Sequence, residues 1–237
     1  MKIRAIFLLC LAILFAMTPL MLPGFDGYDP EDFPVQILRP AVQPAGYAFS
    51  IWLLIYAALI LHAGFGLLAR DMDPVWDRPR GLLMAAMVCG ILWVAFAEDL
   101  PVVATIVILT MLAGLLAALR QTSAAQDRLW LMAPVALFAG WVTAAAGAAT
   151  GVTLAGLGWL SDTAAAVAMI LAVLVLAAAV QWRLGRVPEY GAAVIWALIG
   201  IVAANWGLNA TVAWLALAGA AVMLAVTLLA AARGRAA

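Results

Sequence analysis

Tryptophan is the residue type whose number and positions in this sequence point most clearly to chemistry, namely the binding of a flat apolar molecule. The chain contains ten tryptophans. Five of them lie several residues inside apolar segments: Trp52, Trp93, Trp141, Trp196 and Trp214. An indole ring offers a broad π surface and one N–H donor, which needs a partner when it is buried. These residues predict either a pocket for a planar ligand or, as the alternative, aromatic packing between helices.

The remaining tryptophans occupy the ends of apolar segments, where indole rings commonly lie at the boundary between lipid and water. They are Trp76, Trp130, Trp159, Trp182 and Trp206. We predict that this second group lies at the membrane surfaces and takes no part in a pocket.

Ionisable side chains within apolar segments are the next candidates, because a charge is costly at membrane depth. His62 is the single histidine, and with no carboxylate in a nearby span we interpret it as a packing residue bonded to a backbone carbonyl. Glu98 and Asp99 form an acid pair at a predicted turn, where they either relay a proton or are simply hydrated. The sequence carries no catalytic triad, metal-ligand spacing or nucleotide-binding glycine motif. We therefore predict a protein that is not an enzyme and requires no cofactor.

The segment between residues 24 and 44 has the composition of a lid rather than that of a simple linker. Four prolines stiffen it and prevent a regular helix: Pro30, Pro34, Pro40 and Pro44. It is also rich in apolar side chains: Phe25, Tyr28, Phe33, Val35, Ile37 and Leu38. We predict that this segment folds back over one end of the protein.

The composition requires a surface that faces lipid. Of the 237 residues, 68% are hydrophobic and 10% are charged, and the mean hydropathy is +1.14. A soluble domain carries about 25% charged residues, so a cytosolic enzyme, a nucleic-acid binder and a disordered regulator are excluded. The formal net charge is zero, and the two cysteines form neither a disulfide framework nor a metal site.

Apolar runs long enough to cross a bilayer, roughly 17 to 25 residues each, occur eight times. The predicted spans are residues 5–22, 45–69, 81–97, 100–119, 129–150, 163–180, 190–206 and 209–232. Seven spans are the alternative, if one of the short breaks near residues 98–99 or 207–208 lies within a continuous helix. The predicted fold is an all-α, polytopic transmembrane helical bundle.

Basic residues are distributed asymmetrically between the predicted loops. Every basic residue except Arg39 falls at the termini or in the loops near residues 70–80, 120–128 and 183–189. Because basic loops remain in the cytoplasm, we predict an integral membrane protein with cytoplasmic termini and an outward-facing loop 24–44.

Residues 39–56 resemble the start of the second helix in the TspO/MBR family, which comprises the tryptophan-rich sensory proteins and the translocator proteins. The family pattern is Pro-x-x-x-Pro followed by Phe, Trp and Tyr. The matching residues are Pro40, Pro44, Phe49, Trp52 and Tyr56. Residues 132–146, which contain Trp141 and Thr143, resemble the fifth helix of the family, and Trp93 falls where the third helix usually carries a tryptophan.

Over its whole length the chain resembles the longer bacterial members of the family. This resemblance implies an integral protein of a bacterial cytoplasmic membrane, with a five-helix core over residues 1–151 and three additional transmembrane helices over 152–237 in the same membrane domain. It implies a receptor or sensor that binds a tetrapyrrole, such as a porphyrin or haem, or a similar planar apolar ligand. The implied ligand-binding residues are Pro40, Pro44, Phe49, Trp52, Tyr56, Trp93, Trp141 and Thr143.

Two other functions stay open beside the receptor. One is a small secondary transporter for an apolar or amphipathic substrate, and the other is an enzyme that modifies a porphyrin. The expected partners are the lipid bilayer and a small apolar ligand, with a homodimer as a further option and no nucleic acid.

Overall fold

The computed structural model describes residues 1–21, 28–97, 99–122, 127–185 and 187–236, excluding the side chains of 234–236. Residues 24–27 of the predicted lid and Glu98 of the acid pair lie outside the described residues. Within the described residues the fold is all-helical, and every long helix is apolar enough to cross a membrane. The helices are α1 Lys2–Met21, α2 Ile51–Leu68, α3 Pro74–Phe96, α4 Pro101–Gln121, α5 Arg128–Gly156, α6 Asp162–Leu184, α7 Pro188–Asn205 and α8 Ala210–Ala236. This confirms an all-α bundle with eight spans.

The largest difference from the predicted boundaries is at α3, which begins seven residues earlier than the apolar run. The side chain of Asp73 accepts a hydrogen bond from the backbone N–H of Val75, and Pro74 occupies the first turn. Both features favour a helix start. The charged stretch that includes Asp77 and Arg80 is therefore helical rather than part of a loop.

Short turns separate the helices at both places where a continuous helix was the alternative. Gly207 has a φ of +78°, a backbone conformation that glycine adopts readily, and it lies between α7 and α8. Asn209 then caps α8 by accepting a hydrogen bond from the N–H of Val212 at 3.2 Å. Between α3 and α4, Pro101 begins the new helix.

Helix α5 forms the centre of the bundle and carries Trp141. Of its most apolar stretch, 72% is buried, against 50% or less in the other spans. It packs on α2, α4, α6 and α7. Small residues permit this close approach: a Cβ atom at Gly140 would lie 2.9 Å from the backbone carbon atoms of Tyr190 in α7.

The two ends of the bundle are distinct, and we call them the termini end and the lid end. At the termini end, Arg4 in α1 pairs with Asp77 in α3 at 2.9 Å. Arg128 and Glu189, at the starts of α5 and α7, pair at 2.8 Å. The opposite, lid end carries the segment that connects α1 to α2.

Candidate ligand-binding site

The lid, defined here as residues 28–50, lies folded back on the bundle as its composition predicted. The ring of Phe33 rests on Gly156 of α5, where an added Cβ atom would come within 2.5 Å of the ring. Next to it, the backbone N–H of Val35 donates to the carbonyl of Gly156 at 2.9 Å. The apolar side chains of the lid therefore cover the end of α5.

The backbone N–H and carbonyl of one lid residue, Ala41, are both bonded to polar side chains of the bundle. The carboxylate of Asp162 in α6 accepts a hydrogen bond from the N–H of Ala41 at 3.0 Å. The amide nitrogen of Asn205 in α7 donates to the carbonyl oxygen of Ala41 at 2.8 Å. These two bonds fix the lid above the centre of the bundle.

Helix α7 holds the C-terminal part of the lid as well. The indole N–H of Trp196 donates to the carbonyl of Ala48 at 2.8 Å, and the N–H of Ala45 donates to Gly200 at 3.0 Å. Trp196 therefore uses its polar atom to anchor the lid. The helices that follow residue 151 thus contribute directly to closing the lid end.

Under the lid, aromatic rings from α1, α2 and α5 are packed together. The rings of Trp52 and Tyr56 stack with centroids 5.4 Å apart. The edge of Phe15 meets Trp52 at 6.0 Å and Tyr56 at 5.2 Å. Trp141 meets Trp52 edge-on at 6.2 Å.

Phe15 belongs to the site although the sequence analysis did not select it. Its ring lies against Gly90 in α3, where a Cβ atom would come within 2.5 Å of the ring. The one indication in the sequence that Phe15 belongs to the site was its position as an aromatic residue in the interior of the first span. That signal is weak because lipid-facing phenylalanines have the same pattern.

Two adjoining chambers lie among these rings. The aromatic chamber has a volume of about 240 Å³, and its lining includes Phe15, Phe49, Trp52, Tyr56, Trp93 and Met111. The inner chamber, of about 50 Å³, lies below the lid, and its lining includes Tyr28, Gln43, Pro44, Phe49, Trp93, Trp141 and Ile201. Phe49 and Trp93 line both chambers and form the wall between them. The structure thus brings together Pro44, Phe49, Trp52, Tyr56, Trp93 and Trp141.

Pro40 lines a different cavity, which we call the vestibule. The vestibule has a volume of about 850 Å³ and lies between the lid and the ends of α6, α7 and α8. It shares Tyr28, Gln43 and Pro44 with the inner chamber. Pro40 therefore lies at the approach to the chambers rather than inside them.

Thr143 is the predicted site residue that lines none of these three cavities. Its hydroxyl bonds to the hydroxyl of Tyr190 at 2.9 Å and donates to the carbonyl of Ala139 at 2.8 Å. The reason is helical geometry, because two residues along a helix rotate the side chain by about 200°. Trp141 and Thr143 consequently face opposite sides of α5, and Thr143 serves the contact with α7.

Several polar atoms beside the chambers have no hydrogen-bond partner within the described part of the chain. The indole N–H of Trp141 is fully buried and unpartnered. Trp52 Nε1 and the hydroxyl of Tyr56 likewise form no hydrogen bond to a described residue. The hydroxyl of Tyr28, in contrast, interacts with Thr105 and Trp93, and burial raises the pKa of Tyr28.

His62 lies at the other end of α2 and has a structural role, as interpreted from the sequence. Its Nδ1 donates to the carbonyl oxygen of Trp130 at 2.7 Å, and its ring stacks on Trp76 at 5.1 Å. The indole of Trp76 donates to Asp127 at 3.1 Å. Trp76 is 1% exposed, because it packs between α2 and the start of α5 at the termini end.

The tryptophans inside the spans have three different roles. Trp52, Trp93 and Trp141 line the chambers, and Trp196 anchors the lid. Trp214 is exposed on the outside of α8, beside Trp206 at a centroid distance of 5.8 Å. Aromatic rings therefore line a pocket and also stabilise the surrounding bundle.

Fold and site together define an integral membrane protein with a lid-covered aromatic pocket between α1, α2, α3, α4, α5 and α7. A family model described as TSPO-like protein matches residues 4–229. The chain belongs to this TSPO-like family, as the motifs predicted, and the matched range includes α6 and α7 as well as the first five helices. Comparisons with curated proteins and with solved structures give no match.

Proposed function

We propose that the protein is a non-enzymatic membrane receptor for a flat, largely apolar molecule, with a porphyrin or haem as the leading example. The ligand occupies the aromatic and inner chambers. The observation that supports this proposal best is the buried indole N–H of Trp141, which has no partner in the described chain and belongs to a ring that lines the inner chamber. Membership of a family that is not generally one of enzymes also favours a receptor.

A bound ligand would supply the hydrogen-bond acceptor and the additional aromatic contacts that the empty chambers lack. A buried donor without a partner costs about 1–3 kcal/mol, and an acceptor atom on the ligand would recover this cost at Trp141. Aromatic contacts add about 0.5–1.5 kcal/mol each beyond the burial of apolar area. The rings of Trp52 and Trp93 supply such contacts in the aromatic chamber.

The size of the chambers sets a condition on the ligand. Their volumes, about 240 and 50 Å³, are below the range of roughly 300–1,000 Å³ typical of ligand pockets. Phe49 and Trp93 line both chambers, so a tetrapyrrole requires these two side chains to move. The two volumes together still lie below the typical range, so a tetrapyrrole also requires other side chains around the chambers to move.

The contribution of Trp141 can be measured by titrating haem into the protein in lipid nanodiscs and following the Soret band. We expect Trp141→Ala to weaken binding about tenfold, which corresponds to roughly 1.4 kcal/mol. Trp141→Phe should lose part of this affinity, because it keeps an aromatic ring and removes the N–H donor. The matched control is Trp159→Ala, since Trp159 is 70% exposed and lines none of the three cavities.

Equal losses from Trp141→Ala and Trp159→Ala would contradict the pocket and would favour a general role of tryptophan in the bundle. Haem flux into liposomes would then favour the transporter, and formation of a new product would favour an enzyme. The structure gives the transporter less support at α4, because both threonine hydroxyls of that helix are already occupied. Thr105 and Thr110 donate to the carbonyl oxygens of Pro101 and Ile106, each one turn earlier.

We also propose that the termini end faces the cytoplasm and that the lid faces the opposite side. The support is the concentration of basic residues at the termini end, where Arg4, Arg70 and Arg128 form ion pairs.

Cysteine labelling in intact cells tests this orientation, after Cys10 and Cys89 have been replaced by serine. We expect a membrane-impermeant maleimide to label Glu31→Cys in the lid in intact cells. The same reagent should label Arg78→Cys at the termini end only after permeabilisation. Both positions are exposed, so a reversed labelling pattern would place the lid in the cytoplasm.

A further inference from the structure

We propose that the vestibule recognises a carboxylate, so that the protein selects planar apolar acids over neutral molecules of the same shape. The flat body of the ligand lies in the aromatic and inner chambers, and its acidic group lies in the vestibule. This inference rests on the proposed function, and it adds the charge of the ligand to the description of its shape.

The vestibule adjoins the inner chamber and differs from it in polarity. It is polar and has a volume of about 850 Å³, whereas the two chambers are lined almost entirely by apolar groups. Tyr28, Gln43 and Pro44 line both the vestibule and the inner chamber. A molecule that extends from the inner chamber toward the lid end therefore passes Gln43 and enters the vestibule.

Arg39 provides the positive charge in this cavity. Its side chain lines the vestibule and forms no ion pair or hydrogen bond with the described residues. The other described basic side chains lie at the termini end, where Arg4, Arg70 and Arg128 are paired with carboxylates. A guanidinium group carries donors in a fixed plane that match the two oxygens of a carboxylate.

The backbone beside Arg39 is fixed before any ligand binds. Pro40 follows it directly, and the N–H and the carbonyl of Ala41 are bonded to Asp162 and Asn205. A binding group on an ordered backbone loses less conformational freedom when the ligand arrives. The two bonds at Ala41 therefore hold the lid in place and also order the backbone that carries Arg39.

Gln43 provides a second donor for the same carboxylate. Its side chain is half-buried and lines both the vestibule and the inner chamber, and its amide forms no hydrogen bond with the described residues. Asp162 is the carboxylate that lines the vestibule, and its two oxygens accept the N–H of Ala41. Its negative charge disfavours an anion nearby, so the acidic group of the ligand belongs on the Arg39 side of the vestibule.

The test compares protoporphyrin IX with its dimethyl ester, which has the same flat ring and no carboxylate. Both are titrated into the protein in nanodiscs of zwitterionic phosphatidylcholine at low ionic strength. We expect Arg39→Gln to weaken binding of the acid about fivefold and to leave binding of the ester unchanged. The matched control is Arg120→Gln, an exposed arginine at the termini end, which should change neither affinity.

Each outcome has a distinct meaning. Equal loss of acid and ester in Arg39→Gln would show that Arg39 supports the lid alone, and unchanged binding of both would show that the vestibule does not recognise the carboxylate. Either result overturns the inference and leaves the proposed pocket intact. If the wild-type protein binds neither compound, the proposed function fails and this inference fails with it. Arg39→Lys, which keeps the charge, should retain part of the preference for the acid.

Discussion

Replacing Arg80 with methionine is expected to lower the melting temperature of the purified protein strongly. Arg80 lies in α3 with 1% of its surface exposed. Its guanidinium donates to the carbonyl oxygens of Arg70 at 2.8 Å, Gly66 at 3.0 Å and Asp71 at 3.1 Å. It also pairs with Asp77 at 3.3 Å.

The effect is large because methionine would leave three carbonyl oxygens without this donor, and the hydrogen bond to the carbonyl of Gly66 is buried. A buried acceptor that loses its donor typically costs about 1–3 kcal/mol, whereas Asp77 keeps its ion pair with Arg4. Arg80→Lys should restore little of the stability, because one ammonium group cannot replace the planar set of donors.

The matched control is Arg78→Met, two residues earlier in the same helix. Arg78 is exposed, and exposed substitutions usually change stability by less than about 0.5 kcal/mol. Thermal unfolding of detergent-solubilised protein, followed by tryptophan fluorescence, measures all three variants. Similar melting temperatures for Arg78→Met and Arg80→Met would show that the buried guanidinium does not stabilise the termini end.

Polar contacts next to Arg80 also connect α2 and α3 to the start of α5. Arg70 donates to Asp127 at 2.7 Å, and this hydrogen bond lowers the pKa of the Asp127 carboxyl and raises that of Arg70. Asp127 therefore stays ionised and continues to accept the indole N–H of Trp76 at 3.1 Å. At the termini end, ion pairs thus join α2, α3 and α5. At the lid end, apolar contacts and hydrogen bonds from side chains to the lid backbone join the lid to α6 and α7.

The sequence predicted eight helices because each span shows as an apolar run, and it left seven open only where the breaks near residues 98–99 and 207–208 are very short. It was insufficient for the start of α3, since Asp77, Arg78 and Arg80 have the composition of a loop. Arg80 is nevertheless buried, because carbonyl oxygens from the α2–α3 connection converge on its guanidinium. Contacts of this kind depend on tertiary structure, and no local pattern predicts them.

The site was predictable where the residues belong to one short motif. Pro44, Phe49, Trp52 and Tyr56 occur within 13 residues, and the helix that follows the lid brings them to adjoining chambers. Thr143 was assigned to the pocket by the resemblance of residues 132–146 to the fifth helix of the family, although helical periodicity places it on the other side of α5 from Trp141.

The hydrogen bonds by which α6 and α7 fix the lid could not be predicted from the sequence. The bonds from Asp162 and Asn205 to Ala41 span 121 and 164 residues. An aspartate at the start of one helix and an asparagine at the end of another are ordinary capping residues. Their second role appears only when the chain is folded, and it gives the helices beyond residue 151 a function in the site.

A methyl group added at Gly140 is expected to disturb both stability and ligand binding. In Gly140→Ala, the new Cβ atom would lie 2.9 Å from the carbonyl carbon and the Cα of Tyr190, and closer still to its carbonyl oxygen. These are backbone atoms, so a side-chain rotation cannot relieve the contact, and α7 must move away from α5. Overpacking of this kind typically costs about 1–3 kcal/mol, and the movement also weakens the bond between Thr143 and Tyr190.

The matched control is Gly64→Ala in α2, where an added Cβ atom would meet nothing within 4 Å. Alanine is a better helix former than glycine by about 1 kcal/mol, so this variant should keep or slightly raise the melting temperature. Equal melting temperatures for the two variants would contradict the close packing of α5 on α7. We further expect Gly140→Ala, but not Gly64→Ala, to weaken haem binding. Trp141 follows Gly140 directly, and α7 carries both Gly200, which holds the lid, and Ile201, which lines the inner chamber.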